Sequence, residues 1–393
     1  MSHGKNDPEV TGDDFNSGSM MPRYTFFNTI TTGINFFILK RKSHDNKIVN
    51  VALFGVGRAG TIHLASITSS PRAKLLYIVD DVQTNWEDLK KYWYLDGVTF
   101  LNSKQSDKVF NDPQVHAVVV ASPTYTHEEI VRKALNAKKA VFCEKPIAEN
   151  PTNTARCFEA ARASGKPLFC AFNRRFDPSF MSARERVRKG DVGHVQIMKT
   201  VSRDSPLPSV EYLKISSGIF HDCMVHDIDT MTWILGEYPT KVAVQANANI
   251  PEIKQLNDFD TVVASFNFPS GTLGMIDLSR NSCYGYDIRV EAFGPKGMIQ
   301  ANNEQPIHCV STQLGSEGVK APPIWYSFPS RFFNAYRKEF DHFIDVVLGN
   351  AEPSVRAKEI LAVSKIASAC EESARTGKMV EIKWDTNELP DKQ

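Results

Sequence analysis

Long apolar runs are missing from this 393-residue chain. None reaches the roughly 18 residues that a membrane-spanning helix requires. The nearest, YTFFNTITTGINFFILKRK (24–42), is broken by asparagines and threonines, so no membrane partner is expected. Clustered charge is missing too. Lys and Arg number 46 against 45 Asp and Glu, with no basic run, which argues against a nucleic-acid partner. The seven cysteines are scattered at 143, 157, 170, 223, 283, 309 and 370, without a CxxC pair or other metal-ligand spacing. That odd, dispersed set favours reduced thiols in a reducing compartment, with no metal site and no disulfide framework. A cytoplasmic location follows as the expectation.

What is present is ordinary globular composition, long enough for two domains with real cores. Residues 1–47 are acidic and Gly/Ser-rich at the start and read as a disordered leader. If translation began at Met20 or Met21, the stretch to Arg41 would be basic and free of acids, as mitochondrial presequences are. No internal repeat appears.

From Lys47 the pattern changes. KIVNVALFG, AKLLYIVD (73–80), HAVVVAS (116–122), AVFCE (140–144) and PLFCAF (167–172) are continuous apolar, β-branched runs, as strands buried on both faces are. Helical stretches alternate with them over 58–68, from Thr84 as N-cap, over THEEIVRKALNA, and over 151–164. Strands alternating with helices predict a doubly wound parallel sheet, a Rossmann domain over 48–172. After Asn173, alternating strands joined by turns such as FPSGT and PKG predict a mostly antiparallel sheet. Helices over 331–348 and 355–375 close an α+β domain over 173–393, with Gly377 as a C-cap.

VALFGVGRAG places Gly55, Gly57 and Gly60 in GxGxxG spacing after the first strand and at the start of a helix. The loop Gly55–Gly60, with Arg58 and Ala59 inside it, therefore reads as a pyrophosphate cradle. Asp80 ends the second strand, where a carboxylate accepts hydrogen bonds from a ribose and repels a 2′-phosphate. No Arg or Lys follows it in DDVQTN, which favours NAD over NADP. The bland reading is an ordinary strand–helix turn with a solvated aspartate. FCEKPIA places Glu144 and Lys145 at the carboxyl edge of the sheet, where ligands of doubly wound folds bind. There Lys145 is either a hydrogen-bond donor and proton relay or a solvated loop lysine.

HDCMVHDIDTMTWILG (221–236) reads as a helix with Met224, Ile228, Met231 and Leu235 on one stripe. Asp222 and His226, four apart, are neighbours on a roughly opposite face, with Trp233 and Val225 beside them. Either that face is solvated, or it walls a cleft in which a carboxylate orients the imidazole as a general base near neutral pH. Asp227, Asp229 and His221 receive no chemical role.

These motifs together with FNRRFDPSF, CYGYDIRVEAFGPKG and RFFNAYRKEFDHFID resemble the Gfo/Idh/MocA oxidoreductase family from about Val49 to Ile382. NRRFD, the DxxxHDID helix and YGYD point more narrowly to its inositol dehydrogenases. The resemblance implies NAD-dependent oxidation of a cyclic polyol, myo-inositol to 2-keto-myo-inositol, or the same chemistry on scyllo-inositol, another cyclitol or an aldose. A non-catalytic NAD-binding regulator is the reading from another class. The resemblance further implies a catalytic set of Lys145, Asp222 and His226. His226 takes the hydroxyl proton, Asp222 orients it, and Lys145 hydrogen-bonds the reacting oxygen. Ser122, Glu144 and Lys145 fall at cofactor positions, while Arg174 and Tyr286, with Asp222 and His226, fall at polyol positions. Two departures stand out. Asp204 is only the nearest acid to an expected substrate aspartate, and SPTYTH lacks the Trp-Gly of some bacterial members. A homodimer or homotetramer is the implied assembly.

Overall fold

The computed structural model describes residues 47–307, 312–313 and 319–390. The leader reading of the N-terminus therefore falls outside the described residues, save Lys47.

The first sheet is built from β1 (Val49–Phe54), β2 (Ala73–Val79), β3 (Thr99–Leu101), β4 (Ala117–Val120), β5 (Ala140–Glu144) and β6 (Leu168–Ala171). All pairs are parallel, in the order β3-β2-β1-β4-β5-β6. Helices α1 (Arg58–Ser69), α2 (Trp86–Trp93), α3 (His127–Asn136) and α4 (Pro151–Ser164) make four of the five crossovers, and a short helical turn (Asp107–Asn111) lies in the one from β3 to β4. Helices on both faces explain the unbroken apolar runs: Val51, Leu53, Val119 and Phe142 are fully buried. The strand order reverses between β1 and β4, so the loops leaving their carboxyl ends open into the crevice where such folds bind ligands. Local signals fix α4 at both ends. The Asn150 side chain accepts from Asn153 N, Pro151 opens the helix, and left-handed Gly165 ends it. Thr84 is not an N-cap. It lies inside a 3₁₀ turn (Gln83–Asn85) that runs straight into α2, so the chain is already helical before the expected cap.

The second sheet follows α5 (Pro178–Lys189). It contains β7 (Ile197–Arg203), β8 (Lys241–Asn247), β9 (Thr261–Asn267), β10 (Leu273–Ser279), β11 (Asp287–Gly294), β12 (Gly297–Ala301) and β13 (Val380–Glu381). The order is β12-β11-β7-β10-β9-β8-β13, antiparallel except for the parallel pair β7–β10. Helices α6 (Val225–Leu235) and α8 (Ala357–Thr376) cover one face, with left-handed Gly377 ending α8 as expected. The other face is open. In adjacent strands Met298 pairs with Phe293, Phe293 with Ile197, and Ile197 with Leu273, and all four side chains are exposed. Helix α7 (Phe333–Val347) returns to the first sheet, where Phe343 meets Phe142 and Phe169 edge-on or tilted.

Candidate active site

The three loop glycines stand in three different settings, and two of them admit no side chain. Gly55 has φ +87°, and a Cβ there would lie 2.6 Å from Ser122 N. At Gly60 a Cβ would lie 2.0 Å from the Gly55 carbonyl oxygen, so the turn closes only on glycine. Gly57 has no atom within 4 Å of where its Cβ would be, leaving an open approach to the start of α1. Asp80 holds this cradle from β2: its carboxylate accepts from Val56 N at 2.8 Å and from Val82 N at 2.7 Å. Open backbone at a helix N-terminus, with a carboxylate beside it, fits a dinucleotide.

Two further loops line the same edge. Ser122 hydrogen-bonds Thr126 at 2.7 Å, and buried His127 reaches the Ser122 carbonyl with Nε2 and the Pro146 carbonyl with Nδ1, each at 2.8 Å. His127 therefore links the loop after β4 to the loop carrying Lys145. Glu144 meets buried His63 at 2.7 Å and accepts from Lys145 N. Burial pushes the Glu144 carboxyl up, but His63 and Lys145 outweigh it and hold its pKa below the usual value.

Lys145 Nζ donates to Asp222 twice, to its carbonyl oxygen at 2.6 Å and to Oδ1 at 3.0 Å. Tyr212 OH donates to the same Oδ1 at 2.8 Å, and fully buried Arg280 donates to Oδ2 at 3.1 Å. Burial opposes both charges, yet the pair overrides it: the Asp222 pKa falls well below the carboxylate range and the Lys145 pKa rises. The site therefore contains a fixed ion pair rather than a carboxylate free to accept protons.

The side chains of Asp222 and His226 do not meet as the expected orienting pair. Residues Phe220–Met224 form a π-turn ahead of α6, which breaks the regular four-residue register expected between the two. Among the described residues no hydrogen bond joins them, since the donors on the Asp222 carboxylate come from Lys145, Tyr212, Arg280 and Cys223. His226 Nδ1 is buried without a partner, and the ring meets Phe172 edge-on. Burial, then the cations Lys145 and Arg174, push its pKa well below 6.5, so the imidazole is neutral at neutral pH.

The remaining aspartates of this helix serve the fold. Arg174 donates to Asp227 at 2.9 Å and to Ser202 at 2.9 Å, while Arg175 grips Asp229 through Nε and Nη2 and reaches Glu359 at 3.1 Å. Consecutive arginines of NRRF thus anchor α6 by two buried ion pairs. Arg174, expected at the polyol, has its guanidinium committed to Asp227 and Ser202; it lies beside Tyr286 and acts on His226 through its charge. Trp233 does not border His226. Its ring lies against the Arg184 and Arg175 guanidinium groups, because α6 turns that side towards α5. His221 pairs with Glu371 at 3.2 Å. Asp204 stands in the field of Arg58, Asp222 and Arg280, with burial raising its pKa.

Sequence reasoning missed Tyr212, Arg280, His63 and His127. Arg280 follows β10 directly and could be placed only with that strand's register. Tyr212 lies on a one-turn helix (Val210–Leu213) too short to show a period. Among the described residues no cluster of three or more His, Cys, Asp or Glu could hold a metal, and no helix is long and apolar enough to cross a membrane.

A parallel sheet with a dinucleotide cradle, facing a lysine–aspartate pair and a histidine from an open-faced sheet domain, defines an NAD-dependent oxidoreductase acting on CH–OH groups. The model of the oxidoreductase family with NAD-binding Rossmann fold matches residues 49–172, and that of the GFO/IDH/MocA C-terminal domain matches 180–300. The myo-inositol 2-dehydrogenase of Thermotoga maritima is 34% identical over 85% of this chain and 99% of its own. The scyllo-inositol 2-dehydrogenase (NAD(+)) of Bacillus subtilis is 31% identical over 85% and 96%. A crystal structure of scyllo-inositol dehydrogenase from Lactobacillus casei, with bound NAD(H) and scyllo-inositol, has a TM-score of 0.77 at 26% identity. It covers 85% of this chain and 99% of its own. The chain belongs to the Gfo/Idh/MocA oxidoreductase family.

Proposed function

We propose that the protein oxidises one ring hydroxyl of myo-inositol to a ketone, giving 2-keto-myo-inositol, NADH and a proton. Bound NAD supplies the hydride acceptor. The Gly55–Gly60 loop with Arg58 and Ala59 holds its pyrophosphate, Asp80 its adenosine ribose, and Ser122, Glu144 and Lys145 line its nicotinamide end. Neutral His226 takes the hydroxyl proton as hydride leaves the same carbon. The Lys145 ammonium hydrogen-bonds the reacting oxygen and stabilises its developing negative charge. Asp222 serves Lys145 rather than His226, by fixing where the ammonium points. Tyr286 faces the polyol, and Arg174 contributes its field from behind an ion pair.

The observation that carries this reading is the Lys145–Asp222 pair set beside a histidine kept neutral by burial. Relatives named for both myo- and scyllo-inositol favour a cyclitol over an aldose. The test is NADH formation across a panel of cyclitols and aldoses. Turnover fastest on myo-inositol is expected; faster turnover of scyllo-inositol would move the assignment to that isomer, and no cyclitol turnover would end it. The exposed row Met298–Phe293–Ile197–Leu273 supports a homo-oligomer formed through the open sheet face, as unpartnered apolar patches of this kind favour association.

A further inference from the structure

Tyr212 belongs to neither sheet and carries none of the groups assigned to the reaction. Its hydroxyl is nevertheless committed to the site, 2.8 Å from the Asp222 oxygen that also receives Lys145. The residue as a whole is 37% exposed, so burial in a core does not explain its placement. The ring contacts Arg58 instead: that guanidinium lies 5.7 Å from the Tyr212 ring centre and 4.9 Å from that of Phe328. Arg58 is part of the cofactor loop, and Phe328 begins the turn before α7.

A carboxylate with two free oxygens can rotate about its Cβ–Cγ bond. Arg280 restrains Oδ2, and Tyr212 restrains Oδ1. With both in place the Asp222 plane is fixed, and so is the point at which Lys145 presents its remaining protons. We propose that Tyr212 is a positioning residue: it holds Asp222, and through it Lys145, in register with the cofactor loop to which Arg58 ties its ring. This rests on the reading of Lys145 and Asp222 as members of the reacting site. It adds a residue to that site and a physical link from the cofactor loop to the lysine.

Tyr212→Phe removes the hydroxyl and keeps the ring over which Arg58 lies. Loss of one hydrogen bond to a charged group lowers kcat about tenfold, while the NAD dissociation constant, read by fluorescence, stays within about twofold and reports an intact fold. In an Asp222→Asn background the same change costs little more, because Tyr212 acts through that carboxylate. Wild-type kcat in Tyr212→Phe, a full additional loss in the double variant, or equal losses in kcat and NAD affinity would each overturn the proposal. A second measurement needs no turnover. Trinitrobenzenesulfonate labelling of Lys145, quantified by mass spectrometry against exposed Lys104, rises severalfold in Tyr212→Phe when Lys145 is less firmly held. Unchanged labelling refutes the positioning role even if no polyol is oxidised, whereas an inactive wild-type enzyme with raised variant labelling refutes only the substrate reading.

Discussion

Lys145 and Asp222, 77 positions apart in sequence, are joined twice, through the aspartate's carboxylate and through its main-chain carbonyl. The second bond depends on the backbone of the π-turn, so the lysine reads the conformation of the segment leading into α6 as well as its charge. Residues from the two sheet domains thereby meet in the one site where the proposed proton transfer would occur.

His226→Ala should lower kcat between about 10² and 10⁴-fold and leave NAD affinity nearly unchanged, measured by steady-state kinetics and NAD titration. A large loss of NAD binding would reassign the residue. The sign of the pH effect follows from its environment. The base acts unprotonated, and burial with Lys145 and Arg174 lowers its pKa, so the acid limb of kcat/KM lies below pH 6.5. An acid limb at or above that value contradicts the assignment.

Asp80 accepts from Val56 N, and in the proposed complex it also holds the adenosine ribose. Asp80→Ser should weaken NAD binding and erode the NAD-over-NADP ratio of kcat/KM by about tenfold. An unchanged ratio would leave Asp80 as a brace for the loop alone.

Arg174→Met leaves Asp227 as a fully buried carboxylate without its cation. Breaking such a pair costs about 3–5 kcal/mol, seen as a large drop in thermal midpoint. A direct polyol contact would show the reverse pattern, a raised KM for substrate with the midpoint unmoved.

Glu339 is fully buried on α7, and neither carboxylate oxygen has a partner among the described residues. Burial, then the charges of Glu144 and Asp229, raise its pKa well above 4.5. The folded state therefore holds more protons between the unfolded and folded values, and stability falls as pH rises through that window. Glu339→Gln removes the titration, so its thermal midpoint should gain on wild type as pH rises above the ordinary glutamate range. A constant difference would show that the carboxyl does not titrate there.

Phe293→Asp places a charge in the exposed apolar row of the open sheet. Light scattering should find an oligomer for the wild type and monomers for the variant. A monomeric wild type ends the oligomer proposal.

The first domain was legible because its signals are local. Runs such as VALF and AVVV stay apolar throughout only when both faces of a strand are covered, and two of the three loop glycines answer steric limits of the backbone, at Gly55 and Gly60. The same holds for α4, whose Asn150, Pro151 and Gly165 mark both ends, and for Gly377 at the end of α8. Lys145, Asp222 and His226 were visible as motif members. Their partners were not, since a hydrogen bond between residues 77 apart has no periodicity to betray it.

The sequence by itself determined the strand–helix alternation, the cofactor loop and which ionisable residues the second domain carries. Only the tertiary structure decided which charge meets which. The π-turn changed the register between Asp222 and His226, and the NRRF turn delivered Arg174 and Arg175 to Asp227 and Asp229. The physical reason is that burying a charge is costly, and its compensating partner is chosen by packing in three dimensions rather than by distance along the chain.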